Sequence, residues 1–207
     1  MGIENFAAFF ITALIFVITP GMDTIFVLNK SIARGKRSGV YAGLGINTGV
    51  LVHTCLGALG LSVVIAKSPM GFLMVKYIGA LYILYLGIMG FRSKKDVLSP
   101  ENTSAGNQKK GDFWSGFITN VLNPKVALFF IAFFPQFILQ DQMQSPVPFI
   151  VLGVTYAVIG IVWLVLLACC AGIFTDKIRR NPKIGLRINK LTGLIFIGMA
   201  VTMVVIG

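Results

Sequence analysis

Apolar positions in this chain fall into six long blocks, over residues 6–28, 40–66, 69–91, 113–139, 147–174 and 191–206, separated by short polar stretches. Neither the two-residue period of a half-buried strand nor the one-sided 3.6-residue period of a surface helix organises them. Continuous runs are what lipid demands, because a backbone N–H or C=O there finds no water and has to pair within its own helix. About 20 residues, each rising about 1.5 Å, cross a hydrocarbon core of roughly 30 Å. The first, second, fourth and fifth blocks exceed that length. The third contains Lys76 and the sixth is short, so five spans competes with six.

Composition removes the soluble alternatives. Hydrophobic residues make up 56% of the 207 and charged residues only 12%, half the share usual in a water-soluble domain. The net charge of +11 would suit a nucleic-acid binder if the cations shared one face. They sit instead between the blocks. Lys30, Arg34, Lys36 and Arg37 follow the first; Arg92, Lys94, Lys95, Lys109 and Lys110 follow the third; Lys177, Arg179, Arg180, Lys183, Arg187 and Lys190 follow the fifth. The other two loops carry only Lys67, while Lys76 and Lys125 fall inside blocks. Cytoplasmic loops hold the excess of Lys and Arg, so both termini are expected outside the cytoplasm. A regular alternation of this kind also favours six spans over five, and no nucleic-acid partner is expected. Cys55, Cys169 and Cys170 are odd in number, lack ligand spacing and lie in apolar runs, which reads as small packing residues with no metal site. Glu4 stands where a signal peptide would be basic, so the first block is expected to be retained as a span.

The fold class expected is an all-α integral membrane protein of six transmembrane helices in one domain, with a first half over 1–91, a polar cytoplasmic linker over 92–112 and a second half over 113–207. Three spans in each half give the halves opposite orientations, as in transporters built from inverted repeats. Lys76, Gly79, Tyr82 and Ile83 recur at the same spacing as Lys190, Gly193, Phe196 and Ile197.

Polar chemistry enters the apolar blocks at two places. The first block is interrupted by Thr19-Pro20-Gly21-Met22-Asp23 and the fourth by Asn120-Val121-Leu122-Asn123-Pro124-Lys125. Proline removes a backbone donor and disturbs the preceding turn, so the first and fourth helices are expected to be broken. Pro20 and Pro124 lie about 13 and 16 Å from the cytoplasmic ends of their blocks at the helical rise, which lets the breaks face each other near mid-membrane. Asp23 and Lys125 follow them, and a charge at that depth is expensive enough to mark a function. A zwitterionic solute carries both complementary charges, and Asn120 and Asn123 can donate and accept. The plainer alternative is that the prolines only kink two helices and the asparagines cap them.

In the second block Gly45, Gly49, His53 and Gly57 recur every four residues, a small-residue stripe that allows helices to approach closely within one chain or in a homodimer. His53 on that stripe is a candidate for proton exchange or a hydrogen-bonded packing residue, and Asp23 is the other candidate for carrying a proton. Asn47, Lys76 and Tyr82 are candidates for supporting the site, although Lys76 can also snorkel outward. The 17 Phe residues read as lipid-facing bulk.

The motifs Thr19-Pro20-Gly21-Met22-Asp23, Gly35-Lys36-Arg37-Ser38-Gly39, Leu122-Asn123-Pro124-Lys125 and Phe133-Phe134-Pro135-Gln136-Phe137 together resemble the LysE/RhtB family of amino-acid exporters, and the likeness covers nearly the whole chain. The resemblance implies proton-driven export of amino acids such as homoserine, threonine, leucine or lysine across a bacterial inner membrane, with no cofactor. Many members carry an acidic residue after the glycine of the second span, where this chain has Gly49-Val50, so coupling shifts to His53 or Asp23. An intramembrane enzyme would need a nucleophile and base or a metal set, and the chain has no H-E-x-x-H, no G-x-S-x-G and one histidine. A purely structural subunit would have no use for charges at depth.

Overall fold

The computed structural model describes residues 2–61, 69–92, 109–180 and 182–205. Among them the chain is helical, with no strand and one isolated bridge between Ile3 and Ile138. Most of the linker and Lys67 lie outside the described residues, whereas residues 92 and 109–112, read from sequence as linker, are helical.

Helix α1 (Phe6–Ile18) is capped by Asn5, whose side chain accepts from the Ala8 N–H, and α2 (Met22–Arg34) begins after the extended Gly21. The axes of the pair differ by 47°. Gly35 ends α2 at φ 85°, a backbone region easy only for glycine, and α3 (Lys36–Leu56) then runs into a π-helical turn, Gly57–Leu61. Helix α4 spans Pro69–Arg92. The second bent pair is α5 (Lys109–Val121) and α6 (Pro124–Leu128), which continues through a π turn, Phe129–Phe133, and a 3-10 turn, Phe134–Phe137, at 46° to α5. Helices α7 (Pro146–Arg180) and α8 (Pro182–Val205) complete the chain. Both extend past their apolar blocks into the basic residues, because Lys and Arg are good helix formers and proline suits the first turn of α8. Two described helices, α3 and α7, are long and apolar enough to cross a membrane, or up to four spans if each bent pair is one.

Glycines set how closely these helices meet. Gly45 and Gly49 of α3 lie against the α5 backbone and Asn120, and Gly116 of α5 lies on Ala42. Antiparallel α3 and α7 meet through Gly43 with Leu164 and Gly153 with Thr54, while α4 and α8 cross at Gly87 and Gly193. Apolar association gains nothing in lipid, so this close packing is what holds such helices together.

Three sequence expectations are corrected here. Phenylalanine is not mainly lipid-facing: Phe9, Phe16, Phe129, Phe130, Phe134 and Phe149 are fully buried and stack into one aromatic core with Tyr156. The two breaks open space inside the bundle that large flat rings fill. Cys55, Cys169 and Cys170 are free and exposed on the helix surfaces, not packed inside. Lys76 does not snorkel outward: it is 4% exposed, with its Nζ 5.9 Å from the Tyr77 ring centre.

At the end of the bundle carrying the α2–α3 junction, Asp112 is 1% exposed and ties three helices together. Its Oδ1 accepts from Lys30 Nζ at 3.0 Å and Arg34 Nη1 at 2.6 Å, and its Oδ2 accepts from Ser38 Oγ at 2.7 Å. Replacing Asp112 by Ala leaves two facing cations unpaired, and because these are partly exposed the expected loss is about 2–3 kcal/mol, read as a lower melting midpoint in detergent. A Cβ at Gly193 would lie 2.5 Å from the Gly87 carbonyl oxygen, so Gly193→Ala is expected to cost about 1–3 kcal/mol by overpacking. Gly172→Ala, where a Cβ meets nothing within 4 Å, is the control that should melt like the parent.

Candidate functional site

The site begins with backbone groups that proline leaves unpaired. In a continuous helix the carbonyl of Phe16 would accept from the N–H of residue 20, but residue 20 is proline and has none. Thr19 closes the last turn of α1 by donating its N–H and Oγ–H to the Ile15 carbonyl. Its own carbonyl points past the helix end. Lys125, from the other break, meets both vacancies: its Nζ donates to Phe16 O at 3.2 Å and Thr19 O at 3.0 Å. It also lies 4.5 Å from the Phe16 ring centre and 5.0 Å from that of Phe196. A cation at the carbonyl end of α1 is favoured by the helix dipole as well.

The second break does the converse for Asp23. Asn120 Nδ2 donates to Asp23 Oδ2 at 2.9 Å and Asn123 Nδ2 donates to Asp23 Oδ1 at 3.1 Å. Asp23 stands in the first turn of α2, where the helix dipole favours an anion. Asn123 also caps α6 by accepting from the Lys125 N–H at 3.1 Å. His53 Nε2 lies 3.0 Å from the Asn120 carbonyl oxygen and so supports the asparagine that holds Asp23. Each break therefore solvates the ionisable residue of the other. Asp23 and Lys125 form no ion pair; among the described residues the only ion pairs are those of Asp112.

These groups enclose a cavity of about 30 Å³, room for one or two waters and far below the roughly 300–1,000 Å³ of a ligand-filled pocket. The site is thus too small for an amino acid in this structure. One wall is the two breaks, with Thr19, Gly21, Asp23, Asn123 and Lys125; the other is α3 and α7, with Ile46, Asn47, Val50, Tyr156, Gly160 and Leu164. A Cβ at Gly21 would come 3.2 Å from Lys125 Nζ and press on that side chain.

Of the residues expected from sequence, Thr19, Gly21, Asp23, Asn123, Lys125 and Asn47 reach the cavity. Pro20 and Pro124 create the breaks without lining it, and Asn120 and His53 stand behind Asp23. Lys76 and Tyr82, on α4, are not part of its wall. Sequence reasoning missed the α3–α7 wall and Asp112. Val50 lines the cavity at the position where the family resemblance suggested an acid. No described cluster of three His, Cys, Asp or Glu side chains could hold a metal.

A family model described as LysE type translocator matches residues 14–207. The chain is 33% identical to an uncharacterized membrane protein, YrhP, of Bacillus subtilis (strain 168), over 96% of this chain and 97% of that protein. It is 32% identical to an uncharacterized membrane protein of Vibrio cholerae, covering 96% of this chain and 95% of that one. It is 31% identical to the leucine efflux protein of Salmonella typhimurium, covering 96% and 94%. No solved structure matches the chain. With a match running from within the first helix to the last residue, this multi-pass membrane protein belongs to the LysE type translocator family and is a transporter rather than an enzyme.

Proposed function

We propose that this chain exports α-amino acids across the bacterial inner membrane, binding them between its two helix breaks. The observation that carries the reading is the reciprocal arrangement of Asp23 and Lys125: opposite charges line one cavity, each held by neutral dipoles instead of by the other. A carboxylate with no cation partner can take an ammonium, and a lysine with two of its three hydrogens used can offer the third to a carboxylate. The efflux protein from Salmonella, named for leucine, supports an amino-acid cargo.

Six spans fit the reading best, with each bent pair taken as one broken span. The two halves are inverted repeats: α3 lies antiparallel on α7 and α4 antiparallel on α8, so equivalent helices pair across one pseudo-two-fold axis. Aligning Lys76 with Lys190 puts Gly79 on Gly193 and Gly87 on Val201. Rocking of such halves alternates access to a central site. Protons drive export when Asp23 holds either a substrate ammonium or a proton, never both, with His53 and Asn120 relaying changes at the carboxylate.

Uptake of a labelled amino-acid panel by inverted vesicles, with and without a pH gradient, tests the function. Asp23→Asn keeps size and removes charge; loss of a charge-assisted contact of about 1.5–3 kcal/mol weakens binding on the order of tenfold to a hundredfold, and gradient-driven uptake should stop. Unaltered uptake with unaltered pH dependence, in a variant inserted at parental level, would reduce Asp23 to a helix-end residue. Orientation is checked separately with impermeant thiol reagent on intact cells: a cysteine replacing Asp141, beyond the 3-10 turn, should react, and one replacing Asn102 should not. The reverse pattern overturns the placement of both termini outside.

A further inference from the structure

The two walls of the cavity differ in chemistry. Asp23 and Lys125, on the break wall, are the only charged residues lining it among the described residues. The facing wall is built from Ile46 and Val50 of α3 and Leu164 and Tyr156 of α7, and among these stands one amide, Asn47. Its Oδ1 is buried without a hydrogen-bond partner. Opposite is Gly160, where a Cβ would lie 2.8 Å from that oxygen, so glycine leaves the amide room. An unpaired buried acceptor is destabilising and is open to a water or to a donor group of a bound solute.

We propose that the cavity selects α-amino acids with uncharged side chains, and that Asn47 is the residue that reads the side chain. The inference rests on the cavity being the amino-acid site. The backbone ammonium and carboxylate of a zwitterion match the two charges of the break wall one for one. The side chain is then left facing α3 and α7. A third charge, as on lysine or glutamate, meets Ile46, Val50 and Leu164 there with no counter-charge, which strongly disfavours it. An aliphatic side chain packs on that wall, and a hydroxyl can donate to the Asn47 oxygen.

Efflux assays with leucine, threonine and lysine test this. The parent should export leucine and threonine at least about tenfold more efficiently than lysine. Asn47→Asp, nearly isosteric, adds the missing anion and should raise lysine export relative to leucine by about tenfold or more. Asn47→Leu removes the acceptor and should lower the threonine-to-leucine ratio by about three- to tenfold. Gly160→Ala, which presses on the amide, should also shift that ratio, and it keeps the test open if the aspartate variant fails to insert. Lysine export by the parent at the leucine rate, or parental ratios in both Asn47→Leu and Gly160→Ala, overturns the inference while leaving amino-acid export standing. Failure of the parent to export any amino acid overturns the functional reading, and this inference with it.

Discussion

The structure turns on how two ionisable groups are kept at the centre of an apolar bundle. Carrying a charge from water into a medium of low dielectric costs several kcal/mol even after relaxation, and a direct Asp23–Lys125 pair would offset it only in one rigid arrangement. The bundle uses neutral dipoles. Pro20 frees the Phe16 carbonyl, the extended backbone at the break frees that of Thr19, and Lys125 takes both; two asparagine amides take Asp23. Neither break is satisfied without the other, so the contact between the first and fourth apolar blocks is built into their defects. The aromatic core follows, because Phe16, Phe129 and Tyr156 fill the space around the bent segments.

In the proposed function, two charges that do not neutralise each other bind the two ends of a zwitterion, and a cavity of about 30 Å³ has to widen before one enters. The Asp112 clasp joins the ends of α2, α3 and α5 on one side of the site. The stacked rings of Phe16 and Phe129 pack beside both breaks.

Much of this was legible in the sequence because it rests on rare residues. Proline and charge inside apolar runs have few uses in lipid, so Pro20, Asp23, Asn123, Pro124 and Lys125 stood out, and the structure brings their two segments together. The α3–α7 wall was not legible, since Ile46, Val50 and Leu164 look like any lipid-facing residue until the helix is oriented. Phenylalanine misled for the same reason: a large apolar side chain suits lipid and core equally when no polar face tells them apart. Lys76 and Tyr82 joined the candidate set by spacing alone, and α4 carries them away from the cavity. Asp112 fell at the end of the stretch read as linker, and its burial depends on Lys30, Arg34 and Ser38 from distant parts of the chain.

The most direct test of a zwitterion held between the breaks is equilibrium binding to purified protein of leucine and two analogues of the same shape, leucine amide and 4-methylpentanoate, each lacking one of the two charges. Leucine is expected to bind, and each analogue to bind at least about tenfold more weakly, with Asp23→Asn abolishing the preference over 4-methylpentanoate and Lys125→Met that over leucine amide. Equal binding of all three by the parent protein would contradict a site made of two separately held charges.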